Sequence, residues 1–306
     1  MTTTISWCDE VCNPIVGCSK ISAGCERCYA ATAAKSARLQ QFWQYREVKE
    51  WNGHVVFVGE QLMKPFHWKK PKRIFVGSMT DLFHENTPDE WRDRIFSVIA
   101  LNPSHTFQLL TKRPALMRDY LMGAKQRIRR AAVDLGRKLN LSYETYEPYE
   151  TCQFDWPLSN LWLGVTAENQ AMADKRIPLL MQIPAKVRFL SCEPLLEPIN
   201  LSKFLPIEWS EIAEDWIESW PGIGSYSTDY PNWIIVGLES GSNARRCDLQ
   251  AVHSIINQCQ TAKVKVFCKQ LGTVWAKESG TYKQDRKGAS PELWDKSFNV
   301  QEFPNC

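Results

Sequence analysis

A chain of 306 residues with 44% hydrophobic and 23% charged content can bury a substantial core, as one large α/β domain or two ordinary ones, and argues against global disorder. Its net charge of +3 is too small to mark a nucleic-acid binder by itself, and its eleven cysteines suit reduced thiols better than a disulfide framework. No apolar run approaches the roughly 20 residues that span a bilayer, and the first residues lack the basic and apolar regions of a secretory signal, so the expected address is cytoplasmic with no membrane association.

Short apolar, β-branched runs alternate with longer helical patterns, as in repeated βα units built on a parallel sheet. A weak strand over residues 13–17 comes first, and a cysteine-rich loop and a helix over 29–40 follow. The next strand, 73–77, leads to a helix over 88–101, where Thr87 can cap, Pro88 fits the first turn, and Asp89 and Glu90 suit the positive helix end. Strands over 106–110, 161–165, 187–190, 233–237 and 264–268 then alternate with helices over 114–139, 171–182 and 249–262. About six or seven such units predict a single domain over 1–306, folded as a partial, open TIM-type barrel; a doubly wound open sheet fits the same alternation.

Two acidic, aromatic segments, about 141–157 and 201–232, break the rhythm and are expected to be insertions that cover the barrel or present a surface to a partner protein. A tail over about 273–306 follows the last strand. Basic residues gather at 67–73 and at Lys125, Arg127, Arg129, Arg130, Arg137 and Lys138. They could track phosphates or form solvated helix faces.

The cysteine loop carries Cys18, Cys25 and Cys28 as C-x6-C-x2-C just ahead of a helix. Three thiolates so close in sequence can converge on one soft metal centre and leave a coordination position open for chemistry. The gap between the first two holds Ser22, Ala23 and Gly24, small enough to wrap a bulky iron–sulfur cluster. Zinc, the competing reading, would want a fourth ligand, for which Cys8 and Cys12 are nearest in sequence. Incidental burial of thiols is the third. The five histidines fall in no metal-ligand spacing with one another.

Polar residues gather after each strand, in Ser78-Met79-Thr80-Asp81, Thr111-Lys112-Arg113, Thr166-Ala167-Glu168, Ser191-Cys192-Glu193, Glu239-Ser240-Gly241 and Lys269-Gln270. In a barrel of parallel strands these ends meet at one face, where active sites are built.

Together with Asn13-Pro14, the triad, Leu110-Thr111-Lys112-Arg113-Pro114, Gly164-Val165-Thr166-Ala167-Glu168-Asn169 and Ser191-Cys192-Glu193-Pro194, these blocks resemble the phage-associated three-Cys-motif family, regarded as radical S-adenosylmethionine-like. More distantly, Cys-x-x-Cys-Tyr-Ala, the Thr-Asp after the second strand and Leu-Thr-Lys after the third are similar to the spore photoproduct lyase family, radical enzymes of DNA repair. The usual C-x3-C-x2-C is stretched here, Arg27 stands where an aromatic commonly precedes the last cysteine, and a Gly-Gly-Glu segment is missing.

The resemblance implies a radical-SAM-like barrel, a [4Fe-4S] cluster on Cys18, Cys25 and Cys28, S-adenosyl-L-methionine as cofactor, and an external electron donor. Ser78, Thr80 and Asp81 could accept from the cofactor's ammonium, Lys112 would pair its carboxylate, and Glu168 or Glu193 could hold its ribose, with Glu239 a further rim carboxylate. The alternative for each carboxylate is an ion pair with Lys112, Arg113, Arg188 or Lys269. Cys192 is a candidate hydrogen-atom donor, or else a small core residue. The expected activity is radical chemistry on a nucleic acid or nucleotide, in DNA modification or repair. The competing expectation is a non-catalytic, metal-stabilised scaffold that binds DNA or protein.

Overall fold

The structure is a computed structural model that describes residues 3–206 and 230–304. In chain order it holds strands β1 (Glu10–Cys12) and β2 (Ile15–Val16), helices α1 (Tyr29–Ala34) and α2 (Trp43–Glu47), strand β3 (Val56–Phe57) and helix α3 (Gly59–Leu62). A βα rhythm then takes over with β4 (Arg73–Val76), α4 (Asp89–Ala100), β5 (Thr106–Thr111), α5 (Pro114–Lys138), α6 (Tyr143–Glu150), β6 (Leu161–Thr166), α7 (Gln170–Met181) and β7 (Val187–Leu195). It ends with β8 (Trp233–Leu238), α8 (Leu249–Thr261), β9 (Lys265–Gln270) and α9 (Gly272–Glu278).

Among the described residues one seven-stranded, all-parallel sheet runs in the order β1-β4-β5-β6-β7-β8-β9. Each strand lies beside its predecessor in that sheet, and the order never reverses. A doubly wound sheet reverses at a switch point and carries helices on both faces. Here the two faces differ in kind, because side chains alternate along each strand. Outward residues such as Val76, Leu109, Val165, Leu190 and Val236 share one core with Ile99 of α4, Met117 of α5, Ile177 of α7 and Ile255 of α8. Inward residues Phe75, Trp162, Phe189, Trp233 and Phe267 pack with Trp7 into a separate aromatic core. The sheet is therefore a curled half-barrel whose interior is filled by its own side chains.

Gly164 of β6 makes that filling fit: a Cβ there would stand 2.5 Å from the ring of Phe189, which is wholly buried. At the far end of the interior, Phe303 packs on Trp233 and Phe267 with ring centroids 5.4 and 5.2 Å away. The tail expected after the last strand thus returns to the sheet. Residues 300–302 lie antiparallel along β9, with Cys268 N–H donating to Val300 O at 2.7 Å and Glu302 N–H to Val266 O at 3.0 Å.

Several expectations are corrected. The first parallel strand is β1, not 13–17; Ile15–Val16 instead pairs antiparallel with β3. Pro14 has no amide hydrogen to continue the ladder, and Asn13 Oδ1 accepts from Ser78 Oγ and Met79 N. The helix expected over 29–40 stops at Ala34, where Ser36 Oγ donates back to Ala33 O at 2.6 Å. Pro88 occupies the N-cap of α4, and the Thr87 hydroxyl is buried without a partner.

The segment 141–157 contains α6, which packs on the helical layer: Tyr149 OH donates to Ala100 O at 2.7 Å. Most of the second insertion, residues 207–229, lies outside the described residues. Among the described residues no helix is long and apolar enough to cross a membrane.

Candidate functional site at the C-terminal rim of the half-barrel

The cysteine loop leaves β2 through Gly17, whose φ of +100° favours glycine and where a Cβ would lie 2.1 Å from His54 O. Cys18 follows, Cys25 closes a 3-10 turn (Ala23–Cys25), and Cys28 is the N-cap of α1. All three thiols are partly buried. Cys18 and Cys28 rest on an apolar cushion of Val16, Ala30, Trp51 and Met79.

Bonds from four strand ends hold this loop over the C-terminal rim. After β4, Thr80 Oγ1 donates to Gly17 O at 2.6 Å and Ser78 O accepts from Tyr29 OH at 2.6 Å. After β5, Arg113 reaches Cys18 Sγ at 3.7 Å and Ser19 Oγ at 2.9 Å. After β6, Glu168 Oε1 accepts from Gly24 N at 3.4 Å. After β8, Arg245 donates to Ala23 O at 2.9 Å while also gripping Glu239.

The rim residues are largely engaged with one another. Asp81 accepts from Phe83 N (3.0 Å), Thr111 Oγ1 (2.6 Å), Lys112 N (3.0 Å) and Arg113 Nη1 (3.2 Å), so its carboxylate is spent on orienting the start of α5. Glu168 is fully buried and paired with Arg176 at 2.6 Å. Burial alone would raise its carboxyl, but Arg176, Lys112 and Ser22 hold it below the usual carboxylate range. Glu193 pairs with Lys269 at 2.5 Å, and Glu239 with Arg245. The ion-pair alternative thus describes Asp81 with Arg113 and Glu193 with Lys269, whereas Glu168 and Glu239 are paired with Arg176 and Arg245, cations outside the expected set. Among the described residues Lys112 makes no ion pair: its ammonium donates to the neutral Thr166 hydroxyl at 3.3 Å, though its charge helps hold Glu168 down.

Of the two readings of Cys192, the structure fits the small core residue. Ser191 and Glu193 bracket it on the strand, so by alternation its thiol points away from the interior, into the core between sheet and helices that also holds Cys259. It is wholly buried, and burial pushes its thiol up to about 12. Its side chain thus belongs to the layer between sheet and helices.

Arg113, expected only as an ion-pair partner, touches Cys18 and Ser19, and His84, not singled out in the sequence, backs Ser19. His84 Nδ1 accepts from Asn86 N–H at 3.0 Å, which leaves Nε2–H to donate to Ser19 Oγ at 2.8 Å. Parity gave no signal for Arg113, because both it and Lys112 follow the last residue of β5 and both reach the rim, Lys112 at Thr166 and Arg113 at Cys18. Burial and nearby Asp81 push the Cys18 thiol up to about 12, against the pull of Arg113, so it is neutral unless a positive centre takes its proton's place.

Among the described residues no three His, Cys, Asp or Glu side chains are gathered as a set that could hold a single metal ion. Three thiolates on one zinc would stand about 3.8 Å apart, given Zn–S bonds of about 2.3 Å.

A parallel α/β half-barrel whose C-terminal rim is roofed by a three-cysteine loop and braced by buried ion pairs is the class these features define. Within that class, the chain belongs to the family described as a protein of unknown function, DUF5131, whose family model matches residues 2–301. No curated protein and no solved structure matches it.

Proposed function

We propose that the protein is a radical S-adenosylmethionine enzyme acting on a nucleic acid or nucleotide. The observation that carries this reading is the fastening of the cysteine loop to the rim of the half-barrel by residues from four strand ends. A parallel α/β barrel does its chemistry at that rim. The donor set is three soft ligands, free and partly buried, on one small-residue loop. Cys18, Cys25 and Cys28 would hold a [4Fe-4S] cluster, and Lys112 would pair the carboxylate of S-adenosylmethionine. When bound, the pair supplies one-electron cleavage of a sulfonium and hydrogen abstraction from substrate.

The chain's own residues position and shield. Asp81 and Ser19 orient Arg113 against Cys18, where the guanidinium would stabilise the thiolate once a bound group displaces the proton. Glu168 holds the Gly24 amide, so the roof stays over the interior and limits water access. Glu193 uses Oε1 on Lys269 and, among the described residues, keeps Oε2 for a ligand hydroxyl.

The test is anaerobic reconstitution with iron and sulfide. A charge-transfer band at about 400 nm is expected, lost in Cys25→Ala, with 5′-deoxyadenosine released on reduction. A full cluster that yields no deoxyadenosine ends this proposal. Tightly held zinc without labile sulfide would favour the non-catalytic scaffold.

A further inference from the structure

The basic segments that stood out in the sequence are poor candidates for a phosphate track. Residues 67–73 precede β4 and so lie at the opposite rim, where Lys72 pairs with Glu10 at 2.9 Å and Arg73 with Asp9 at 3.0 Å. On α5, Arg127 pairs with Asp93 at 3.0 Å and Arg137 pairs with Glu150. Those four cations are already neutralised, and neither segment holds an aromatic among the exposed large side chains.

Residues 20–46 present the reverse. The stretch begins in the cysteine loop and holds five basic residues against one acidic. That acid, Glu26, is taken by Arg245 at 3.3 Å. Among the described residues the side chains of Lys20 and Arg46 donate only to backbone carbonyls, and the exposed side chains of Lys35 and Arg38 have no hydrogen bond or ion pair. Four cations therefore lack a carboxylate.

Interleaved with them are Tyr29, Phe42 and Trp43, 59%, 51% and 50% exposed. Soluble surfaces seldom leave three large rings so bare in fifteen residues without a use. Their neighbours are firmly seated: Ala30, Ala34, Tyr45 and Val48 are buried in the cushion beneath the cysteine loop. The rings are thus held out by a packed base. Aromatic faces among unpaired cations are what a single-stranded nucleic acid uses, bases on the rings and phosphates on the cations. A duplex hides its base faces and cannot use the rings.

We infer that residues 20–46 form a docking platform for single-stranded nucleic acid, which leads the strand to the cysteine loop. This deepens the proposed function by giving its substrate a path and a strandedness, and rests on that reading only for the chemistry at the path's end. Binding itself needs no cluster.

The probes are fluorescently labelled oligo(dT) and oligo(U) of about 15 nucleotides and a duplex of equal length, read by anisotropy with the full chain before and after reconstitution. Single strands are expected to bind more tightly than duplex. Phe42→Ala with Trp43→Ala should weaken single-strand binding by about tenfold or more, at unchanged melting temperature. Lys35→Gln with Arg38→Gln should lower the slope of log affinity against log salt by about 1.4. Duplex bound as well as single strand, indifference to the aromatic pair, or equal competition by polyglutamate or phosphatidylserine vesicles would each overturn the platform. Binding as described without deoxyadenosine formation would sink the radical reading and leave the platform standing. Cofactor cleavage without strand binding would do the reverse.

Discussion

With its guanidinium shared among Asp81, Glu85, Cys18 and Ser19, Arg113 neutralises a carboxylate that is almost wholly buried. Removing one partner of such a pair strands the other charge in a poorly solvated place. Arg113→Leu should therefore cost about 3–5 kcal/mol in urea unfolding, and adding Asp81→Asn should recover part of it. The same corner responds to pH. Burial and Arg113 push His84 below its ordinary 6.5, so between that value and the depressed one the unfolded chain binds the extra proton, and stability falls as pH drops through this window. Glu168, held below its ordinary 4.5, adds stability above that value that is lost as pH falls through its lower folded value. Melting temperatures from pH ~8 to ~2 should show both losses, with His84→Gln removing the first and Glu168→Gln the second. The rim positions of these residues were legible, because each follows a strand and strand ends share a face. Their partners were not: whether Asp81 meets a cofactor or Arg113 depends on which side chains the curl of the sheet turns toward each other. Cys192 is the plainest instance, since one step of parity separates the rim from the helical layer.

At the scale of elements, Gly164 tests the inner packing. An alanine methyl placed 2.5 Å from the Phe189 ring must displace an aromatic that has no empty space to enter. Gly164→Ala should cost about 1–3 kcal/mol, read as a lowered denaturation midpoint with an unchanged slope. The strands from β4 onward were readable from their apolar runs and turn residues. β1 was not, because Glu10–Cys12 is short and its inward neighbours Trp7 and Cys8 lie before it. Locally, Asn13-Pro14 looks like the entry to a strand, whereas in the fold it ends one. Thr87 shows the same limit, as a good capping residue overruled by the proline that follows it.

At the scale of the molecule, an open parallel sheet has edges that must be protected. Residues 300–302 pair along β9, and Trp233 Nε1 donates to Glu302 O at 2.8 Å, while Phe303 stops the end of the aromatic core. Phe303→Ala should cost about 2 kcal/mol, and deletion from residue 300 onward should add light scattering on heating, because it bares both the edge and the rings. The repeating βα rhythm made the half-barrel legible, but this seal was not: three residues carry too little pattern to read as a strand. Strand order brings a further consequence. Because each stave is laid beside the one made before it, the growing wall always offers a single fresh margin, and the next unit to emerge is the one that fits it. Assembly can proceed like coopering, one plank at a time, and it halts where an oppositely directed strip caps the last plank.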